Sequence, residues 1–319
     1  MRMKNSKPRA VNAFFAKPEV SVLVALILLC VFMTIASPYF MTFKNIMNVL
    51  RQISLIAILA IGEGMIIITA GIDLSVGAVV GFTACLGASV ARSGAPPSLT
   101  LLVILGAGAM VGLLNGLLVT KVGLAPFIAT LGMMSIARGF SLLITMGSPI
   151  HFNNTWISVL GGGRIGIVPV SVIVMAVIVI VGVIFANNTV TGRNIYAVGN
   201  SEKSAKLTGI RVDRIRIIVF TITGFLAGIC GLILMGQLES SDAFYGNGYE
   251  MDVIAAAVIG GISLSGGVGN LLGIVVGAGL MGVLKNAFVL LAVTGYWQTV
   301  AVGVVIIGAV SIDSLRNKR

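Results

Sequence analysis

The chain has 319 residues, of which 57% are hydrophobic and only 10% are charged, and its formal net charge is +11. Charged side chains are too few to cover the surface of a water-soluble domain of this length. The composition therefore excludes a soluble enzyme and indicates an integral membrane protein. The basic residues concentrate at the two ends and in one internal loop, and positive-inside bias explains that distribution without a nucleic-acid partner.

The apolar segments predict an all-α, polytopic membrane protein that forms a single domain over residues 1–319. About 20 helical residues cross the hydrocarbon layer of a bilayer, and by that measure about ten segments qualify. They cover approximately residues 20–36, 46–70, 74–92, 98–119, 126–146, 167–186, 214–237, 252–264, 267–291 and 296–314. The eighth segment is short, so it either crosses the membrane or forms a re-entrant or broken helix that protein or a water-filled cavity covers.

The charges between these segments predict their orientation. Residues 187–216 contain six basic and two acidic residues, so this loop is expected on the cytoplasmic side, together with the tail 1–19 and the basic C-terminus. Residues 238–252 contain four acidic residues and no basic one, so this segment is expected outside. An even number of spans satisfies all of these markers.

Several ionisable residues fall within the apolar segments, where a charge needs a polar partner, a cavity or a position near the interface. Glu63 and Arg138 lie near mid-depth, so they are expected either to pair with each other or to contact a substrate. Asp73 follows a helix and is expected to cap the next one. Lys285 is expected to find Glu250 or Asp252.

Glycines spaced by four residues predict two smooth helix faces that allow close packing, Gly108–Gly112–Gly116 and Gly269–Gly273–Gly277. The sequence also repeats weakly. Residues 71–77 match 261–267 at five of seven positions, and residues 106–110 resemble 277–281. The two offsets differ by 19 residues, so the similarity indicates either a duplication with an insertion in the first half or chance.

The loop 187–216 contains the signals of one short helix. Asn200 or Ser201 is suited to cap its first turn, Glu202 and Lys206 lie four residues apart, and Gly209 is suited to end it. A helix this short and polar must lie on the membrane surface, where it either transmits the motion of a partner or only connects two spans. The residues assigned to it are Gly199, Asn200, Ser201, Glu202, Lys203, Ser204, Ala205, Lys206 and Gly209.

The outer segment combines acidic and aromatic side chains, which indicates either a docking surface for a soluble protein or ordinary interfacial aromatics. The candidate docking residues are Glu239, Asp242, Tyr245, Tyr249 and Glu250.

The sequence contains no phosphate-binding loop, because Gly-Lys never occurs, and no zinc-protease motif. We therefore expect no catalytic residue, metal or cofactor in this chain. Uphill transport would then take its energy from an ion gradient or another polypeptide.

The segment Ile68–Ala78, with Gly71-Ile72-Asp73-Leu74-Ser75-Val76-Gly77, resembles the membrane permeases of bacterial ABC importers for monosaccharides. This ribose-type group also includes xylose, galactose and autoinducer-2 permeases. The similarity covers nearly the whole chain and continues through Asn115-Gly116 and residues 126–132, 192–210, 248–256 and 260–267.

The resemblance implies a homodimer, or a pair of similar permeases, within the lipid of the bacterial inner membrane, with both termini in the cytoplasm. It further implies cytoplasmic ATPase subunits that bind ATP and Mg, and a periplasmic sugar-binding protein that docks on residues 238–252. Residues 199–209 would then be the coupling helix, although Ser204-Ala205 replaces the two alanines common in this family.

For a monosaccharide, the resemblance implies a path with transient polar contacts. We assign Asn115 and Asn286 to it, together with Glu63, Asp73 and Arg138. A second hypothesis is an ion-coupled secondary sugar transporter, driven by protons or sodium through Glu63 or Asp73.

Overall fold

The computed structural model describes residues 18–153 and 155–317, so most of the predicted tail 1–19 lies outside the described residues. The described chain is almost entirely helical, which confirms the all-α prediction. Its α-helices are α1 (Pro18–Ala36), α2 (Phe43–Ile68), α3 (Val76–Arg92), α4 (Pro97–Leu117), α5 (Pro126–Thr145), α6 (Thr155–Gly162), α7 (Val170–Asn188), α8 (Val190–Asn200), α9 (Glu202–Leu207), α10 (Val212–Leu238), α11 (Tyr249–Ile259), α12 (Leu271–Leu290) and α13 (Gly295–Asn317).

A π-helical turn, Leu118–Val122, extends α4. Short strands occupy two loops, with β1 (Ile150–His151) and β4 (Ser240–Ser241) paired antiparallel, and β2 (Arg164–Ile165) paired with β3 (Val168–Pro169).

Nine of the ten predicted segments are apolar helices of the expected kind. Six of them are long and apolar enough to cross a membrane, namely α2, α4 with its extension, α5, α7, α10 and α12, and α1, α3 and α13 contain shorter apolar helices. The eighth segment is the exception, because α11 has only 11 residues. At a rise of about 1.5 Å per residue, such a helix covers about half of a hydrocarbon layer of about 30 Å.

The loops lie at two opposite ends of the helix bundle. The pairing of β1 with β4 places the loops after α5 and α10 together, at what we call the strand end. At the other end, the α9 end, Gly199 packs against the carbonyl of Ile68, and Lys121 forms an ion pair with Asp213 at 2.9 Å. The structure therefore separates the basic loop 187–216 from the acidic segment 238–252, as the sequence predicted.

Both predicted glycine ridges are packing surfaces between helices. A Cβ atom added to Gly112 of α4 would overlap the carbonyl of Phe220 in α10, and one added to Gly277 of α12 would overlap the carbonyl of Ala256 in α11. The absence of side chains therefore lets these backbones approach closely. Gly269 is the exception, because it precedes α12.

The two sequence similarities do not fit one duplication. Residues 71–77 and 261–267 both lie at or beside the α9 end. A duplication that relates these two segments would therefore give two halves that cross the bundle in the same direction. Residues 106–110 lie on α4, which runs toward the α9 end, whereas residues 277–281 lie on α12, which runs away from it. The 19-residue difference corresponds to one additional helix, α3, and a single inserted helix reverses the direction of everything that follows.

We predict that Gly112→Ala destabilises the protein, because the new methyl group meets backbone atoms of α10. The thermal unfolding midpoint of the purified chain should fall by roughly 3–8 °C. Gly106→Ala is the matched control, since it lies on the same helix with nothing within 4 Å of the added Cβ. An equal loss in both variants would show that α4 does not depend on this contact.

Candidate coupling site and translocation cavity

The predicted short helix exists as α9, and its signals act locally as expected. The hydroxyl of Ser201 accepts a hydrogen bond from the amide of Ser204 at 3.2 Å, which identifies Ser201 as the cap. Gly209 ends the segment with φ +83°, and the amide of Ile210 bonds back to the carbonyl of Ala205. A second helix, α8, precedes α9 and is capped by Thr189.

The segment α8–α9 is fixed to three helices of the bundle. Gly199 packs against the carbonyl at the end of α2, and Asn200 packs against Gly267, which precedes α12. The carboxylate of Glu202 accepts hydrogen bonds from Lys206 at 2.6 Å and from Arg216 of α10 at 2.7 Å. The Lys206 hydrogen bond, followed by the charge and hydrogen bond of Arg216, lowers the pKa of Glu202, so both ion pairs are present at neutral pH.

The outward surface of α9 differs from its packed surface. Ala205 is buried, whereas Lys203, Ser204 and Lys206 are exposed. Leu207 is 79% exposed although it is apolar, and sequence reasoning missed it. The sequence did contain a signal for this exposed residue, because Leu207 is an apolar residue between Lys206 and Gly209 on a short polar helix.

A polar cavity of about 340 Å³ lies among α2, α10, α11, α12 and α13, toward the strand end. Its polar lining consists of Arg51, Gln52, Gln237, Tyr249, Asp252, Lys285 and Gln298. The glutamines in this set are all three glutamines of the chain. Leu55, Ile56, Leu234, Met281 and Val289 supply apolar surface. This volume lies at the lower end of the range for small-molecule pockets.

The cavity contains one internal ion pair and two unmet donors. Lys285 bonds to Asp252, which confirms one of the two partners predicted for it. Arg51 donates one hydrogen bond to the carbonyl of Gly162 at 3.1 Å, but its Nε and the Nε2 of Gln237 have no partner among the described residues. Buried donors without acceptors are costly, so these two favour a ligand that brings oxygen atoms.

The predicted path residues lie elsewhere. Asn286 exchanges two hydrogen bonds with Asn45, at 3.0 and 2.7 Å, which tie α12 to α2. Glu63, Asp73 and Asn115 form a buried cluster described below. None of the five predicted path residues lines the 340 Å³ cavity, so their role in transport stays a prediction.

The predicted pairing of Glu63 with Arg138 is wrong. The guanidinium of Arg138 donates to the carbonyls of Ala243 and Tyr245, and Glu63 instead accepts from the amide of Asp73 at 2.9 Å. The reason is that the segment after β4 dips toward the middle of the bundle and meets Arg138 there. Asp73 was predicted to cap α3, but its Oδ1 accepts from the amide and hydroxyl of Ser75, the residue immediately before the helix.

The predicted docking residues do not form one surface. Glu239 is exposed after the end of α10, and Asp242 is partly exposed and accepts a hydrogen bond from the amide of the exposed Phe244 at 2.8 Å. Tyr245 bonds through its hydroxyl to Ser240, whereas Tyr249 lines the cavity. Glu250 lies against Gly77 of α3. Docking on these residues stays a prediction.

Residues 45–310 match the family described as branched-chain amino acid transport system / permease component. The chain is 38% identical to the ribose import permease protein RbsC of Escherichia coli (strain K12), over 92% of this chain and 93% of that protein. It is 35% identical to the D-allose transport system permease protein AlsC of the same strain, over 92% and 90%. It is 32% identical to the galactose/methyl galactoside import permease protein MglC of that strain, over 94% and 95%. No solved structure matches the chain.

We predict that Glu202→Gln loosens α9, because it weakens the bonds to Lys206 and Arg216. Since Glu202 is partly exposed, amide hydrogen exchange across residues 201–209 should accelerate only about 2–5-fold. In the parent chain, the protection of these amides that depends on Glu202 should persist at neutral pH. It should begin to fall below about pH 4.3, the ordinary pKa of a glutamate, and be lost as the pH falls through the lowered pKa of Glu202. Lys203→Gln is the control, and equal exchange in both variants would contradict the role of Glu202.

Proposed function

The chain belongs to this permease family, as the membrane subunit of an ATP-binding-cassette sugar importer, and we propose that its α9 end docks the ATPase. A separate subunit hydrolyses ATP, so this chain provides the translocation path and no hydrolytic site. This assignment replaces the ion-coupled carrier considered from the sequence.

One observation carries the proposal: α8–α9 holds the ends of the helices that surround the polar cavity. It contacts α2 through Ile68, the segment before α12 through Gly267, and α10 through Arg216. The same three helices supply Arg51, Gln237 and Lys285 to the cavity wall. A displacement of α9 by a partner would therefore act on three of the helices that form the cavity wall.

The outward surface of α9 suits a protein partner. Leu207 supplies an apolar contact, and Lys203 and Lys206 supply positive charge around it. Apolar anchors surrounded by polar residues are typical of binding hot spots. ATP and Mg would be bound by the partner ATPase.

Charge supports the orientation that this docking requires. The α9 end carries the basic loop 187–216, and positive loops remain in the cytoplasm. We place both termini in the cytoplasm and the strand end in the periplasm, with the chain in a bacterial inner membrane. A periplasmic sugar-binding protein would then deliver its sugar near Glu239, Asp242 and Phe244.

A second copy of this chain, or a similar permease, would complete the importer. Lipid would cover the apolar outer faces of α5 and α7, whose most hydrophobic windows are only 28% and 22% buried in the single chain.

We place the sugar path through the 340 Å³ cavity. Glutamine amides both donate and accept hydrogen bonds, and a sugar hydroxyl does the same. The ring of Tyr249 and the apolar wall fit the C–H face of a sugar, and Asp252 with Lys285 form an internal pair that demands no ion from the ligand. The names of the relatives, for ribose, allose and galactose, favour a neutral monosaccharide.

We predict that Leu207→Ser weakens the docking of the ATPase, because it removes the exposed apolar contact of α9. The dissociation constant between permease and ATPase should rise about 10-fold, as expected for burial of one leucine. Leu291→Ser is the matched control, since it changes an exposed leucine at the strand end. Binding of the ATPase to the Leu207→Ser variant at parental strength would contradict the docking surface.

We predict that Gln237→Leu slows transport, because it removes a hydrogen-bonding amide from the cavity while preserving its volume. The kcat/KM of ATP-dependent sugar uptake in proteoliposomes should fall about 10-fold, the loss expected for roughly 1.4 kcal/mol of hydrogen bonding. Asn48→Leu removes an exposed amide on α2 that does not line the cavity, and it should leave uptake unchanged. Equal uptake by both variants would exclude the cavity as the path.

A further inference from the structure

Two carboxylic acids are buried together where the chain breaks between α2 and α3. Glu63 is 0% exposed and Asp73 is 2% exposed, and the amide of Asp73 donates to Oε1 of Glu63 at 2.9 Å. The ion pairs found in the described residues use the carboxylates of Glu202, Asp213 and Asp252 instead. The Glu63–Asp73 pair therefore lacks a positive partner within the described chain.

The two acids receive unequal numbers of hydrogen bonds. Oδ1 of Asp73 accepts from the amide and hydroxyl of Ser75 at 2.8 and 2.6 Å, and its Oδ2 accepts from Nδ2 of Asn115 at 3.4 Å. Within the described part of the chain, Glu63 accepts a single hydrogen bond, from the amide of Asp73. Donors stabilise the ionised form of a carboxylate, so a charge resides better on Asp73 than on Glu63.

Two buried oxygen atoms in this cluster have no hydrogen-bond partner among the described residues. They are Oε2 of Glu63 and Oδ1 of Asn115, a side chain that is itself 0% exposed. The amide of Asn115 belongs to the cluster, because its Nδ2 also donates to the hydroxyl of Ser75 at 2.9 Å. Both unmet atoms are acceptors, so what the cluster lacks is a donor or a cation. A water molecule would supply hydrogen atoms but would leave two buried negative charges uncompensated.

The surrounding helices do not supply the missing charge. Thr130 of α5 faces the segment and accepts from the amide of Leu74, Thr223 of α10 packs on Gly62, and Ile262, Leu271 and Ile274 surround Gly64. Arg138 bonds to carbonyls and Lys285 to Asp252. The remaining titratable groups on the helices around the segment include Cys85, Tyr196, Cys230, Tyr249 and Glu250, which are neutral or acidic, and the basic Lys44, Arg92 and Arg214. Arg51 bonds to the carbonyl of Gly162, Lys121 pairs with Asp213 and Arg216 pairs with Glu202, so no described basic residue forms an ion pair with Glu63 or Asp73.

We propose that the Glu63–Asp73–Asn115 cluster binds one monovalent cation, which is either Na⁺ or a proton carried by Glu63. Carboxylate and amide oxygens are the ligands that hard cations prefer. A bound Na⁺ would draw Glu63 Oε2 and Asn115 Oδ1 together with Asp73, whereas a proton on Oε2 would be donated to an acceptor such as Asn115 Oδ1. Either form neutralises one of the two charges and satisfies both unmet atoms.

The position of the cluster gives the cation a structural consequence. The segment after Glu63 ends at Ile68 and Ala70, which contact Gly199, Gly266 and Gly267. A second cavity, of about 330 Å³, reaches this segment from the α9 end. Its lining includes Ala70 and Pro126, and its charged residues are the acidic Glu202 and Asp213 and the basic Lys206 and Arg216. A cation entering there would fix the segment on which α8 rests.

The test measures the unfolding midpoint of the purified full-length chain, without sugar or ATPase, so it is independent of the proposed transport function. NaCl is exchanged for choline chloride at constant ionic strength and neutral pH, and a separate pH series omits sodium. If the cation is Na⁺, the midpoint should rise by about 3 °C for each tenfold increase in NaCl above the dissociation constant. If it is a proton, sodium has no effect and the midpoint falls as the pH rises.

Variants locate the effect. Glu63→Gln and Asn115→Leu should each lose the response seen in the parent chain, whereas Glu250→Gln, on α11 outside the cluster, should keep it. If the cluster variants do not fold, infrared spectra of the parent chain decide the question. A protonated-carboxyl band identifies the proton, and a carboxylate band that shifts when sodium replaces choline identifies Na⁺. A parent chain with neither spectral feature, or with midpoint responses that Glu63→Gln retains, would overturn the proposal.

Discussion

The carbonyl of Ile68 joins three parts of the molecule, and the rest of the structure depends on this joint. It accepts the amide of Gly267 at 2.8 Å, and Gly199 packs directly on it. A helix that ends near the membrane leaves carbonyls and amides that only protein can satisfy. Here the amides of Thr69 and Gly71 bond back to the last turn of α2, and those of Asp73 and Leu74 find Glu63 and Thr130. The break between α2 and α3 is therefore an ordered structure with side chains committed to it.

This joint connects the surface of the protein to its cavity. Gly199 lies in the last turn of α8, three residues before α9 begins, and Gly267 precedes α12 by four residues. Force on α9 therefore acts on two cavity helices at once. The ion pair from Glu202 to Arg216 adds α10 as the third. The close packing of α10 on α4 through Gly112 and Gly224 leaves little freedom for relative sliding, so a displacement would be transmitted as motion of packed helices rather than absorbed between them.

Local and strongly periodic features were predictable from the sequence, and features that depend on chain breaks were not. Residue type and spacing predicted the approximate bounds of most helices and the end of α9 at Gly209. They narrowed the cap of α9 to Asn200 or Ser201 and the partner of Lys285 to Glu250 or Asp252, and the structure selects Ser201 and Asp252. The pairing of Glu63 with Arg138 was wrong because depth was estimated for straight spans, whereas residues 69–75 and 242–246 turn back into the bundle. The sequence predicted a path at Asn115 and Asn286, whereas the amides that line the cavity belong to Gln52, Gln237 and Gln298, which lie within or at the ends of apolar segments.

If the sugar passes through this cavity, as we propose, the chemistry of the cavity would allow the path to recognise a sugar without retaining it. A fixed charge that faces a ligand in a low-dielectric site binds ions strongly. Asp252 and Lys285 neutralise each other, so the wall presents mainly amide groups, the phenol of Tyr249 and apolar surface to a ligand. Each amide hydrogen bond contributes only about 1 kcal/mol net, because the sugar exchanges it for one with water. Arg51 is the one charge whose Nε stays unmet, and it lies toward the strand end, where it bonds to Gly162. In the proposed path, attraction for sugar oxygens would therefore be strongest beside Arg51 and weaker along the amides, which would favour passage over storage.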